Sequence, residues 1–208
     1  KFSPTLYNQL GIFLPLIAVN CAIMGGSLFM QQKVDAGAIG NVWQSIVYGL
    51  GSGMGWWLAI VMMAAIREKK RIVVFGDFDL DGISATTVLT RGLRALGACA
   101  FPFIPRRFEE GYGITAAAFE RARALEPDVI VTVDCGIACK SEVADILKAG
   151  VEVYITDHHE AADLVPEGVP VADPKMADDC PSAILAGVGV ALKLVQVLGS
   201  RLGFPHLW

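Results

Sequence analysis

The chain has 208 residues, enough for one ordinary domain with an appendage, and its five cysteines lack the paired spacing of a disulfide framework. Residues 1–70 contain five basic and two acidic residues, a net charge of +3, whereas residues 71–208 contain twelve basic and nineteen acidic residues, a net charge of −7. The acidic second half is not typical of nonspecific nucleic-acid binding, which depends on Lys and Arg patches. The apolar first half indicates that this part lies in a lipid environment and the second half in water.

Two long uncharged runs in the first half predict membrane-spanning helices. They cover residues 10–30 and 41–66, and each exceeds the roughly 20 residues that a helix needs to cross a hydrocarbon layer about 30 Å thick. The basic cluster at 67–71 favours a cytoplasmic location for the end of the second run. Pro15 and the glycines at 49–55 would interrupt regular helix, which indicates a site or a subunit contact at membrane depth. Two ordinary hydrophobic helices that pack through glycines are the alternative.

The strings LYNQLGIFLPLIAVNCAIMGG and SIVYGLGSGMGWWLAIVMMAAIREK closely resemble the integral-membrane NqrE family of the sodium-translocating NADH:quinone reductase, over about residues 1–70. The resemblance implies membrane contact through residues 10–66, other reductase subunits as partners, and an inner-membrane location with a cytoplasmic C-terminal domain. Without insertion, the chain would be cytoplasmic. The resemblance also implies that Cys21 is a ligand of a [2Fe–2S] cluster. Because such a cluster generally needs four ligands, it would form only with partner subunits.

Residues 73–82, VVFGDFDLDG, join an apolar strand-like segment to three carboxylates at alternate positions, Asp77, Asp79 and Asp81. Anions this close repel one another, so a fold that gathers them at a strand end normally supplies a cation or a proton. An EF-hand calcium loop is excluded because its twelfth position, which must be Glu, is Val88. A polar turn with solvated acids is the alternative.

The second half of the chain alternates strand and helix patterns. We expect strands at residues 71–75, 100–104, 129–133 and 151–156, and helices at residues 83–96, 115–125, 141–149 and 181–198. Thr115 is the expected cap of the second helix. This alternation predicts an α/β fold with a parallel sheet, preceded by the two-helix transmembrane segment.

Three of these strands end in residues that could bind metal, and sites in parallel sheets lie at the carboxyl ends of strands. These residues are Asp77, Asp79 and Asp81 after the first strand, Asp134 after the third, and Asp157, His158 and His159 after the fourth. Carboxylates combined with imidazoles are more typical of a Mn²⁺ or Mg²⁺ site than of a zinc site with thiolate ligands. Two such ions would support hydrolysis of a phosphodiester. Structural histidines are the alternative.

The motifs GDFDLDG, FIPRRFEEGYG, VTVDCGI, VYITDHH and LAGVGVALKL occur in the order and at about the spacing of RecJ-type single-stranded-DNA exonucleases of the DHH phosphoesterase superfamily, which residues 65–208 resemble. The resemblance implies two Mn²⁺ or Mg²⁺ ions and single-stranded DNA or a short oligonucleotide as the partner. The implied metal ligands are Asp79, Asp81, Asp134 and His158, with Asp77 as a neighbouring metal-site residue.

The same resemblance implies roles for four further residues. Asp157 and His159 would be catalytic, with His159 at the scissile phosphate. Arg106 and Arg107 would bind substrate, and surface salt bridges with Glu109 and Glu110 are the alternative for these arginines.

The two resemblances predict two domains, a transmembrane segment at 1–70 and a DHH phosphoesterase domain at 71–208. Members of the exonuclease family continue into a further metal-binding aspartate and a clamp domain, so we expect a C-terminally truncated version here. Three functions stay open: a metal-dependent exonuclease core, a reductase fragment for electron transfer or sodium transport, and an inactive fusion of the two.

Overall fold

The computed structural model describes residues 57–160, 164–176 and 180–204, which belong to one compact unit. The predictions for residues 1–56, including the run at 10–30 and Cys21, lie outside the described residues. The domain border near residue 70 stays a prediction. The elements in chain order are α1 (57–67), β1 (Arg71–Gly76), α2 (Leu80–Ala95), β2 (Cys99–Phe103), α3 (Arg107–Glu110), α4 (Ala116–Arg123), β3 (Val129–Val133), α5 (Lys140–Lys148), β4 (Glu152–Thr156), β5 (Val171–Ala172), a 3₁₀ turn (Pro174–Met176) and α6 (Gly187–Leu202).

The strands form one parallel sheet with the order β2-β1-β3-β4-β5. Every neighbouring pair is parallel, so all carboxyl ends meet at the same edge of the sheet. All residues of the central strand β3 are buried, which fits a strand covered on both faces. The predicted parallel α/β fold is confirmed.

Helices cover both faces of the sheet. One apolar core contains α1, α2 and α6 with residues such as Ile72 and Val131, and the other contains α4 and α5 with residues such as Val73 and Ile130. Successive strand residues point to opposite faces, so each strand contributes to both cores. The acidic loops at the carboxyl edge therefore start from a sheet that helices cover on both faces.

Helix α1 is the end of the apolar run predicted at 41–66, and it packs into the first core. Leu58, Met62 and Ala65 are buried at the spacing of one helix face. Residues 57–66 thus differ from the expectation of a lipid-facing helix, because an apolar helix buries its surface equally well against a protein core. No helix in the described ranges combines the length and the apolar character that a bilayer-spanning helix requires.

Most predicted elements of the second half are present, with shifted ends. The cap at Thr115 is confirmed, since its Oγ1 accepts a hydrogen bond from Ala118 N at 3.2 Å. Helix α2 begins at Leu80 rather than 83, because Asp79 caps it through a 2.8 Å bond from Gly82 N. Helix α6 begins at Gly187 rather than 181. The short elements α3 and β5 were not predicted.

Candidate metal centre

Four aspartates form one row across the carboxyl edge of the sheet. The register pairs Gly76 with Val133, Val133 with Thr156, and Thr156 with Ala172. The next residue on each strand is an aspartate, in the order Asp77, Asp134, Asp157 and Asp173. Because neighbouring strands lie about 4.8 Å apart, the row brings four carboxyl groups close together.

Asp173 is the member of this row that sequence reasoning missed. It follows β5, a strand of two residues that is too short to give a clear pattern. The alternation VPVAD at 169–173, with apolar residues at every second position before an acid, is the signal that could have found it.

The loop after β1 holds two carboxylates near the centre of the row. Asp77 is buried, and its Oδ1 accepts a 2.7 Å bond from Phe78 N. Asp79 caps α2, and its carboxylate lies within 4.8 Å of those of Asp77 and Asp134. A Cβ at Gly82 would lie 2.6 Å from the carbonyl oxygen of Asp77, so this turn has room only for glycine.

Asp81 is held by the N-terminus of α6. Its Oδ2 accepts a bond from Gly187 N at 2.7 Å, and its Oδ1 accepts one from Val188 N at 2.9 Å. Helices leave these first N–H groups without internal partners, and their dipole favours an anion there. A Cβ at Gly187 would lie 2.6 Å from Asp134 Oδ1, so glycine lets the helix approach both acids. Sequence reasoning missed these two bonds to Asp81.

Asp134 lies at the centre of the acidic group. It is 2% exposed, and its φ of +59° is a left-handed conformation that Asp adopts more readily than most residues. Its Oδ1 is 3.0 Å from His158 Nε2, which is also 3.5 Å from Asp81 Oδ2. Even so, Oδ1 has no hydrogen bond of acceptable geometry from the described residues. Burial, together with the charges of Asp81 and Asp79, raises the pKa of Asp134 to about 7.

Asp157 is committed to internal hydrogen bonds. Its Oδ2 accepts a bond from Ile137 N at 3.0 Å, and its Oδ1 accepts bonds from the backbone N–H groups of His158 and His159. The same Oδ1 is 2.7 Å from His159 Nδ1. Burial alone lowers the pKa of His159, but the hydrogen bond and charge of Asp157 outweigh it and the pKa is raised. Asp157 therefore orients both histidines.

The donor atoms fit divalent cations. Within the described ranges, two sets of three side chains have ligand atoms within 4.8 Å of one another: Asp134, His158 and His159, and Asp77, Asp79 and Asp134. Asp134 belongs to both sets, and its unsatisfied buried Oδ1 is the type of atom that a cation would stabilise. The combination of carboxylates and imidazoles suits Mn²⁺ or Mg²⁺.

The two predicted substrate arginines lie in different environments. Arg106 forms the predicted alternative, a 2.9 Å salt bridge with Glu109 on the surface. The guanidinium of Arg107 lies 4.6 Å from the centre of the Phe78 ring. Because Phe78 separates Asp77 from Asp79, Arg107 is the arginine beside the acidic loop.

The segment that carries these arginines is anchored by a partly buried ion pair. Both carboxylate oxygens of Glu110 accept hydrogen bonds from Arg121, whose Nη2 also donates to Ile104 O at 2.7 Å. The Arg121 guanidinium lies over the Phe103 ring at 4.1 Å. The hydrogen bond from Arg121 lowers the pKa of Glu110 to about 2. This pair ties the end of β2 to α3 and α4.

Two family models match the chain. One, described as the DHH family N-terminal domain, matches residues 71–205, and the other, described as an Rnf-Nqr subunit and membrane protein, matches residues 1–105. The chain is 45% identical over 149 residues to the single-stranded-DNA-specific exonuclease RecJ of Thermus thermophilus, a match that covers 71% of this chain and 22% of the relative. It is 54% identical over 101 residues to the NqrE protein of the Na⁺-translocating NADH-quinone reductase of Klebsiella pneumoniae, which covers 49% of this chain and 48% of the relative.

Among solved structures, the described fold resembles an exonuclease RecJ bound to manganese, with a TM-score of 0.66 and 41% sequence identity. The match covers 74% of this chain and 39% of that structure. The chain thus spans about a fifth of the length of the exonuclease relative and about half the length of the reductase relative.

Proposed function

Because the chain belongs to the DHH family through residues 71–205 and to the Rnf-Nqr family through residues 1–105, we propose that its α/β domain hydrolyses phosphodiester bonds of single-stranded DNA with two divalent cations. The observation that carries this proposal is the convergence of two three-residue donor sets on the shared Asp134. Manganese bound to the RecJ structure of similar fold supports the choice of cation.

The chain's own residues would divide the work of binding the cations. Asp79, Asp134 and His158 would hold them, with Asp77 beside them and Asp81 as a ligand fixed by the N-terminus of α6. Bound ions of this kind lower the pKa of water and hold phosphoryl oxygens. Asp134 would serve both ions because it belongs to both donor sets.

Two further groups would act on the substrate. Asp157 holds the Nδ1 side of His159, which leaves the other ring nitrogen for a phosphate oxygen. The ring of His159 is half exposed, and the raised pKa of His159 favours the cationic form that pairs with phosphate. Arg107, beside Phe78, would attract the DNA strand to the acidic loop.

The test is release of nucleotides from labelled single-stranded DNA by the full chain in Mn²⁺. We expect activity that a chelator abolishes and that Asp134→Ala lowers by about 100-fold or more, since loss of a group that only supports a metal ligand already costs about 10–100-fold and Asp134 would itself be a ligand. Asp145→Asn is the matched control, because Asp145 is an exposed acid of α5 that pairs only with Lys148 in the described residues. Equal activity of Asp134→Ala and wild type would refute the site.

A second proposal concerns the first part of the chain. The match to the Rnf-Nqr membrane-protein family supports attachment of the α/β domain to the inner membrane through the region before α1, with the domain in the cytoplasm and other reductase-type subunits as partners. The full chain should then stay in the membrane pellet after alkaline carbonate washing. Protease should digest the α/β domain in inverted vesicles and spare it in spheroplasts. Release of the chain by carbonate would refute the attachment.

A further inference from the structure

Asp173, the fourth aspartate of the row, has a carboxylate oxygen without a hydrogen-bond partner. Its backbone position is fixed beside β4, since Asp157 N donates to Ala172 O at 3.1 Å. Its Oδ1 accepts a bond from Lys175 N at 2.8 Å and closes the turn that follows β5. Its Oδ2 is buried, and no described residue donates a hydrogen bond to it. A buried oxygen without a hydrogen-bond donor lowers the stability of the folded protein, so a donor or a cation that reached it would be stabilising.

The neighbours of Asp173 limit what Oδ2 could bind. Its carboxylate interacts electrostatically with Asp157, His158 and Lys175. The Lys175 ammonium lies 3.4 Å from Glu160, so it is directed to another acid. The oxygens of Asp157 already accept bonds from Ile137 and from both histidine backbones. Of these three groups, the imidazole of His158 is the candidate donor for Asp173 Oδ2, because His158 follows Asp157 in the neighbouring strand end.

The orientation of His158 leaves one ring nitrogen for this contact. Its Nε2 is 3.0 Å from Asp134 Oδ1 and 3.5 Å from Asp81 Oδ2, so Nε2 faces the candidate metal ligands. In the described residues, the buried carboxylate oxygens without partners are Asp134 Oδ1 and Asp173 Oδ2, which lie on the two sides of Asp157 in the row. His158 directly follows Asp157, so its backbone lies between these two acids in the row, and its Nδ1 is the ring nitrogen not directed at Asp134 and Asp81.

We propose that Asp173 is a positioning residue that accepts the Nδ1–H of His158 and so holds Nε2, as an unprotonated donor, toward a divalent cation. The inference rests on the proposed metal-dependent function. Metal-binding histidines usually donate their second N–H to a carboxylate, which sets the tautomer and the ring orientation. Rotation about the Cβ–Cγ bond of histidine has broad minima, so a small turn of the His158 ring toward Asp173 would carry little torsional cost. Asp157 performs the same task for His159.

The experiment compares the full chain with Asp173→Asn, Asp173→Ala and the surface control Asp145→Asn. Nitrogen chemical shifts of ¹⁵N-labelled histidine, measured with saturating Mg²⁺, report the tautomer of each ring. We expect His158 in the wild type to carry its proton on Nδ1, and Asp173→Ala to give a mixture of tautomers while His159 is unchanged. The Kd for Mn²⁺, from titration calorimetry, should rise about tenfold in Asp173→Ala and less in Asp173→Asn, which keeps an acceptor.

Each other outcome has a distinct meaning. Unchanged His158 shifts and an unchanged Kd in both Asp173 variants would overturn the inference. A fall in stoichiometry from two ions to one, with unchanged His158 shifts, would make Asp173 a direct ligand and also overturn it. Failure of the wild-type chain to bind Mn²⁺ would instead refute the proposed function. Circular dichroism verifies folding, and Asp173→Asn preserves the shape of the side chain if Asp173→Ala does not fold.

Discussion

Asp134 shows how a single residue links the fold to the candidate chemistry. Its nearly complete burial and its unsatisfied Oδ1 both make a lone charged carboxylate costly at this position. The nearby acids add repulsion, so the residue is costly in the metal-free protein. A bound cation would remove these costs. The metal-free protein is therefore less stable, and relief of this cost on binding adds to the affinity for the cation.

Asp134→Asn should change how stability depends on pH in the metal-free protein. The folded-state pKa of about 7 lies above the ordinary value of 3.8, so the folded state binds this proton more tightly than the unfolded state does. The contribution of Asp134 to stability is therefore fully present below the ordinary pKa and is lost as pH rises through the folded-state value. Urea unfolding in chelator at about pH 5 and about pH 8 should show a smaller loss for the variant than for wild type. An equal loss in both proteins would contradict the raised pKa.

Gly187→Ala tests the close approach of α6 to the acids. The added Cβ would lie 2.6 Å from Asp134 Oδ1, whereas a Cβ at Gly189 would meet only the Leu185 side chain at 3.2 Å. Overpacking costs about 1–3 kcal/mol, so we expect Gly187→Ala to weaken Mn²⁺ binding by about tenfold or more. Gly189→Ala is the matched control and should change the Kd by about twofold or less. Similar affinities for the two variants would contradict the role of Gly187.

At the scale of elements, α1 and α6 have roles that the sequence pattern does not distinguish from its alternatives. The apolar residues of α1 have the spacing of one helix face and belong to the same core as residues of α2 and α6. An apolar run of this composition is compatible with a bilayer or with a protein core. Which of the two it enters depends on the surfaces that are available to cover it. Helix α6 both covers the sheet and donates two N–H groups to Asp81.

Met62→Ala tests whether α1 belongs to the core. Met62 is fully buried, and its truncation should lower the free energy of unfolding by about 2–5 kcal/mol. Ile60→Ala on the same helix is the control, because Ile60 is 49% exposed and its truncation should cost about 0.5 kcal/mol or less. Chemical denaturation measures both. A negligible effect of Met62→Ala would show that α1 does not stabilise the domain.

Across the whole molecule, the parallel topology creates a concentrated negative charge at one edge of the sheet. Four strand ends deliver an aspartate in the same register, and Asp79 and Asp81 join them from the first loop. Among the described residues, His158 and His159, which follow β4, pair with Asp81, Asp134 and Asp157 of this group. The domain as a unit is therefore expected to depend on divalent cations for part of its stability.

Mn²⁺ should stabilise the folded chain against unfolding. A ligand that binds only the folded state at 100 times its Kd adds about 2.7 kcal/mol per site. The unfolding temperature, followed by near-ultraviolet circular dichroism, should rise with Mn²⁺ and return when a chelator is added. NaCl at equal ionic strength is the control, because screening alone relieves repulsion weakly between buried groups. An equal rise in NaCl would assign the effect to screening.

The sequence alone was sufficient for several features. The alternation of apolar segments predicted the parallel sheet, and Thr115 was recognised as a cap from local chemistry. The acids and histidines after three strands were identified because parallel strand ends share an edge. The ends of α2 and α6 shifted because their first turns depend on contacts with acids and on loop structure that the pattern does not record.

Other features were decided only by the tertiary structure. The short strand β5 exists because it pairs with β4, and this pairing adds Asp173 to the row. The core that residues 57–66 share with α2 and α6, and the bonds from α6 to Asp81, join residues that are far apart in the chain. Local sequence determines which residues a strand or helix offers, whereas the register between strands and the approach of distant helices depend on packing of the whole domain. The chemistry of the carboxyl edge was therefore readable from the sequence, but its geometry was not.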